Sequence, residues 1–196
     1  MKPERFSGNG AIRSGFTLSN GLLVVFGEHG GASLMLDLAA RLSLHGSLYL
    51  LDCGNRSNMY RVARTLRALT DDPVAVMRNI RLSRAFTCYQ VVALLEKAAS
   101  RPGAPVLVLD LLATFMDESV QIQESSLLFN CALQHLSALG QSAPVVISAK
   151  PLLSLSAPRN GLLEQLKGAA NVIWEENVLP APHRTVGVQL PLLPDY

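Results

Sequence analysis

"GLLVVFGEHGGASLMLDLAARLSLHG", residues 21–46, carries a complete structural unit in one stretch. Its first six residues after the polar lead are almost wholly apolar, the pattern of a strand covered on both faces. Glycines at 27, 30 and 31 then break the run. Leu34, Leu38, Ala39 and Leu42 follow at helical spacing, with a glycine stop at Gly46. Strand, glycine loop and helix in direct succession make the opening unit of a parallel α/β domain.

The same alternation continues along the chain. "SLYLLD" (47–52) reads as a second strand, "NMYRVARTLRAL" (58–69) as an amphipathic helix and "NIRLSRA" (79–85) as a third, shorter strand. "TCYQVVALLEKAASRPG" (87–103) opens with Thr87 and Gln90 in the spacing of a capping box and closes on a Pro-Gly stop. "APVLVLDLLATF" (104–115) predicts a fourth strand, "ESSLLFNCALQHLSALG" (124–140) a helix ending at Gly140, and "APVVISAK" (143–150) a fifth strand. Residues 161–194 suggest a short helix and two terminal strands. Strands alternating with helices imply a mostly parallel central sheet flanked by helices, with the terminal strands extending it. One domain, 1–196, is expected: a polar lead over 1–20, a core over 22–150, and a helix with strands over 151–196.

Composition narrows the class. The chain is 49% hydrophobic and 16% charged, yet no uninterrupted apolar run reaches the roughly 18 residues of a membrane span. No membrane association is expected. "MKPERFSGNG" lacks the apolar run of a secretion signal, which makes a cytoplasmic location the expectation. Cys53, Cys88 and Cys131 are odd in number and share no C-x-x-C spacing, so neither a disulfide framework nor a metal site is expected. Net charge is only +2, but seven of the thirteen arginines fall between Arg56 and Arg84, opposed there by Asp71 and Asp72 alone. A solvated helix face and a phosphate-binding patch both account for that segment.

The loop after the first apolar run approximates a phosphate-binding loop, G-x-x-x-x-G-K-[ST]. Gly27 opens it, Glu28, His29, Gly30 and Gly31 follow, and then Ala32, Ser33 and Leu34 stand where Gly, Lys and Ser or Thr belong. Around it, "FGEHGG", "LYLLDCGN", "NIRLSRAFTCYQ" with Arg84, Ala85 and Phe86, "VLVLD" ending in Asp110, and "PVVISAK" ending in Lys150 occur in one order. This set resembles the ATPase core of the RecA/RadA recombinase superfamily, with "VLVLD" as the Walker B strand and "PVVISAK" as the sensor strand. The resemblance implies a RecA-like P-loop NTPase fold.

Departures from the family pattern bear on function. Ser33 offers no cation to the outer phosphates, Leu34 cannot ligate magnesium, and Gly54 falls where the family's catalytic glutamate sits. Phosphoryl transfer depends on positioning and electrostatic stabilisation, and here three parts are missing together. No catalytic residue is therefore assigned. No cofactor is expected, although backbone groups of the glycine loop do not need those side chains and leave ATP or a phosphate-like anion open as a ligand. Lys150 is the candidate replacement cation, with an exposed strand end as the alternative; His29 is a further loop residue able to carry charge at lower pH.

The family's DNA-facing loops correspond here to "LLATFMDESVQIQ", which carries Asp117 and Glu118, and to "PLLSLSAPRNG", which offers Arg159. Arg61, Arg64 and Arg67, spaced by three on one helix, form the better nucleic-acid candidate, with Phe16 and Tyr60 as aromatic neighbours. What the resemblance implies is a degenerate, non-catalytic RecA-like paralogue acting in DNA recombination or repair through protein partners, RecA-family subunits or further copies of itself. Two alternatives stay open: an unconventional ATP-binding or ATP-hydrolysing protein using Lys150, and a module that binds single-stranded DNA weakly.

Overall fold

A computed structural model of the chain describes residues 3–8, 19–27, 31–100, 103–150 and 159–176. Seven strands form one sheet: β1 (Glu4–Gly8), β2 (Gly21–Phe26), β3 (Leu48–Asp52), β4 (Ile80–Arg84), β5 (Val106–Leu109), β6 (Pro144–Ala149) and β7 (Val172–Glu176). Their spatial order is β1-β7-β2-β6-β5-β3-β4, and each neighbouring pair is parallel. The helices are α1 (Ala32–Ser43), α2 (Met59–Arg67), α3 (Pro73–Met77), α4 (Cys88–Ala99), α5 (Ile122–Ser142) and α6 (Asn160–Ala169).

Strand periodicity splits the core in two. Leu23, Val25, Leu48, Leu50, Leu107, Leu109 and Val146 point to one face, against Met35, Leu36 and Ala39 of α1 and Val62 and Leu66 of α2. Leu22, Val24, Leu51, Val106, Val108, Val145 and Ile147 point to the other, under α4, α5 and α6, where Phe115 and Phe129 meet edge to face at 5.0 Å. Covered on both sides, β2, β5 and β6 can be apolar at nearly every position. The edge strand β4 instead carries Arg81 and Arg84, which discourages pairing with other chains.

The fold class expected from the sequence holds at the level of an α/β domain with a parallel sheet, while three local expectations are corrected and one element is added. Residues 1–20 are not simply a polar lead, because Glu4–Gly8 pairs with β7 as an edge strand. The fourth predicted strand stops at Leu109: Asp110 adopts a left-handed conformation and Leu111–Met116 winds into a 3-10 helix. α5 runs past Gly140 to Ser142, since that glycine is a close-packing position whose added Cβ would stand 3.2 Å from Leu22 Cδ2. Pro73–Met77, unassigned in the sequence, forms a short helix capped by Asp72, whose side chain accepts from Ala75 N at 2.9 Å. Of the two terminal strands, β7 is present, and any second one falls outside the described residues. Thr87 caps α4 by accepting from Gln90 N at 3.3 Å, while Gln90 Oε1 accepts from Phe86 N, one residue before the cap.

Candidate functional site

At the carboxyl edge of the sheet the connections part company. β2 leads into α1 and β3 into α2 on one face, whereas β5 leads into the 3-10 helix and α5, and β6 into α6, on the other. Crevices open where successive connections diverge in this way. Gly27, Gly31, Asp110 and Lys150 all lie at this edge, as their places in the sequence require.

The turn after β3 is built around Asp52, whose side chain is fully buried. Asn55 adopts a left-handed conformation, folding the turn back so that Arg56 N and Ser57 N donate to the Asp52 carboxylate at 2.8 and 3.0 Å. The Ser57 hydroxyl donates at 2.5 Å, and Arg84 Nε reaches across from β4 at 3.2 Å. Burial alone would raise the Asp52 carboxyl. The Ser57 hydroxyl, the two N–H groups and Arg84 outweigh it and hold the group below the usual carboxylate range.

That direction fixes a pH dependence. Stability contributed by Asp52 is fully present above the ordinary Asp value of 3.8 and is lost as pH falls through the lower folded value. An Asp52→Asn variant should lose about 1.5–3 kcal/mol at neutral pH, the range for hydrogen bonds to charged groups. Below about pH 4 the gap to wild type should begin to narrow, because the unfolded wild-type carboxyl then takes up a proton while the folded one still holds its charge, and it narrows further as pH falls through the lower folded value. Urea unfolding at pH 7 and pH 3 checks both; a gap that widens in acid contradicts the assignment.

One residue beyond β5 stands Asp110. Its backbone N donates to the buried Ser148 hydroxyl at 3.0 Å. Its carboxylate is flanked by Arg56 Nε at 3.5 Å and Lys150 Nζ at 3.6 Å, neither within a hydrogen bond. Gly54 packs directly against it: a Cβ added there would lie 2.5 Å from Asp110 Cβ and 2.7 Å from Oδ2. Lys150 lies at the sheet edge with its ammonium turned toward a carboxylate of this chain. The Cys53 thiol beside Gly54 is pushed far up by burial, and by Asp52 and Asp110, which disfavours the thiolate form.

Of the glycine loop, Glu28, His29 and Gly30 fall outside the described residues. Its flanks are set: Gly27 N donates to Ala149 O at 3.4 Å, and Gly31, at φ +54, starts α1. No other residue suits Gly31, since a Cβ would lie 2.9 Å from Val25 Cγ1. A Cβ on Gly27 would overlap the Glu176 carboxylate at the end of β7, so an anionic side chain already lies against the first residue of the loop. Ala32 begins α1, Ser33 is exposed, and Leu34 turns toward α2 among the apolar side chains of that face. With Asp110 held between two cations, no hydroxyl at position 34 and a carboxylate against Gly27, these residues do not fit a magnesium nucleotide. Among the described residues, no three His, Cys, Asp or Glu side chains cluster as metal ligands.

The predicted nucleic-acid residues divide. Arg64 and Arg67 are exposed on α2, but Arg61 pairs with Asp37 of α1 at 3.0 Å, where Thr65 also donates at 3.0 Å. Tyr60 is exposed, and Phe16 falls outside the described residues. Arg159 does not face outward: it is 8% exposed and donates to Phe115 O and, at 2.7 Å, to Val120 O. Asp52, Arg56 and Glu176 were not singled out from the sequence. Asp52 had one signal, the turn-forming "CGNRS" directly behind it; Glu176 had none, being about 150 positions from Gly27 in the chain.

Fold and edge together define an all-parallel, seven-stranded α/β domain, compatible with Rossmann-like and P-loop architectures, which carries the Arg56–Asp110 and Lys150–Asp110 ion pairs at the carboxyl edge of its sheet. No family model matches the chain, and no curated protein matches it. No helix among the described residues is long and apolar enough to cross a membrane.

Proposed function

We propose that this chain is a RecA-like domain without phosphoryl-transfer chemistry, a non-catalytic subunit that works by binding other proteins, related RecA-type subunits among them, in DNA recombination or repair. The observation that carries the loss of chemistry is Asp110, boxed by Arg56, Lys150 and Gly54. That carboxylate is 5% exposed, with both cations and Gly54 crowding its Oδ2, a setting opposed to a metal ion, and Gly54 cannot be exchanged for a water-polarising carboxylate without displacing it. The RecA-type lineage and the recombination or repair setting rest on the five ordered sequence segments.

Purified protein should show no magnesium-dependent ATP hydrolysis above background, with or without single-stranded DNA, and no saturable heat on titration with Mg·ATP. Turnover that disappears in an Asp110→Ala variant overturns the proposal. Co-sedimentation with RecA-type recombinases tests the second half: a stoichiometric complex supports it, and its absence across a panel of them removes the RecA-type partner.

A further inference from the structure

We propose that the groove between α1 and α2 is a docking site for an acidic, leucine-bearing segment of a protein partner. The groove has a volume of about 350 Å3, with Leu34, Leu38, Ala68 and Leu69 along it and Arg41 and Arg64 at its sides. Leu69, in the turn just past α2, is 39% exposed beside the groove. A second hollow of about 400 Å3 continues past Arg64 and Arg61 to the exposed ring of Tyr60.

Charge decides the chemistry of the occupant. Among the described residues, Arg41, Arg64 and Arg67 make no ion pair. Asp37, the acid inside the groove, is already neutralised by Arg61 at 3.0 Å and accepts from Thr65. The surface therefore offers unpaired guanidinium groups around an apolar floor. A nucleic-acid backbone would use the cations and leave the leucines exposed to water. A peptide with leucines on one side and carboxylates on the other uses both, in the manner of an amphipathic helix laid in a groove. Leu34 links this surface to the altered loop: the residue standing where a phosphate loop has its hydroxyl is part of the groove wall.

This inference rests on the reading that the chain acts by binding proteins, and its test is independent of nucleotide. The probes are a fluorescein-labelled amphipathic peptide of leucine and glutamate, its analogue with lysine for glutamate, its analogue with alanine for leucine, and a labelled oligo-dT. Fluorescence anisotropy should show saturable binding of the Leu-Glu peptide, at least tenfold weaker for each of the other probes. Amide shifts in the 15N spectrum should concentrate in residues 34–41 and 61–69. An Arg41→Glu/Arg64→Glu variant should lose the Leu-Glu peptide at least tenfold and gain the Leu-Lys one, a reversal that a misfolded protein cannot give.

Equal binding by that variant, no binding of any peptide, or preference for oligo-dT overturns the proposal, the last in favour of a nucleic-acid surface. Failure here leaves the absence of ATP hydrolysis untouched, while ATP turnover defeats the non-catalytic reading whatever the peptides do.

Discussion

An alanine at Gly54 should destabilise the protein by about 1–3 kcal/mol, the range for forcing extra atoms into a packed site. The expected clash is with Asp110 Cβ at 2.5 Å, and that atom cannot swing away as the tip of a long side chain could. Asp110 is also fixed from behind, by its left-handed backbone and by the bond from its N–H to Ser148. Asp110→Gly removes the obstructing Cβ and suits the left-handed conformation. In that background Gly54→Ala should cost at least about 1 kcal/mol less, a coupling of the size found for residues in contact. Strict additivity in a urea-unfolding cycle would mean that Gly54 and Asp110 do not touch. Functionally, a Gly54→Glu variant should be less stable and no more active, because the added side chain competes with Asp110 for one place.

How far the sequence carried this picture depends on where the deciding forces lie. Central strands were legible because two-sided burial writes an unbroken apolar run, as in "GLLVVF" and "APVVIS". The start of α4 was legible because a cap is local: Thr87 and Gln90 are three residues apart. β1 was not, since "ERFSG" pairs along one side only and has no apolar alternation to announce it. The stop after Leu109 was hidden for the opposite reason, "LVLDLLATF" being apolar on both sides of the left-handed turn at Asp110.

At the candidate site, missing side chains were readable and replacing contacts were not. Ser33, Leu34 and Gly54 declare an absence by identity alone. That Gly54 accommodates Asp110, that Arg56 and Lys150 converge on it, and that Glu176 lies against Gly27 are consequences of strand order. Arg61 shows the same limit within one helix: spacing of three placed it with Arg64 and Arg67, but Asp37 on the neighbouring helix draws it out of the group.

Arg159, to which the sequence assigns no site role, carries the second large expected effect. Read from the sequence, it is the lone arginine of a loop that gives little support for DNA contact; in the fold, its guanidinium ties the start of α6 to the 3-10 helix at Phe115 and to Val120 in the segment before α5. Phe115 O keeps a second donor in the Ser125 hydroxyl at 3.0 Å, but Val120 O depends on Arg159 among the side chains described. Arg159→Met preserves the aliphatic stem and deletes both charged hydrogen bonds, so it should cost about 2–3 kcal/mol in urea unfolding. Arg159→Lys should recover only part of this, because a single ammonium cannot reproduce the planar fork that spans two carbonyls. Neither substitution should change the binding of a labelled single strand at low salt, since the guanidinium is turned inward. An Arg159→Met protein as stable as wild type but with weakened oligonucleotide binding would reverse the assignment and return this arginine to the surface.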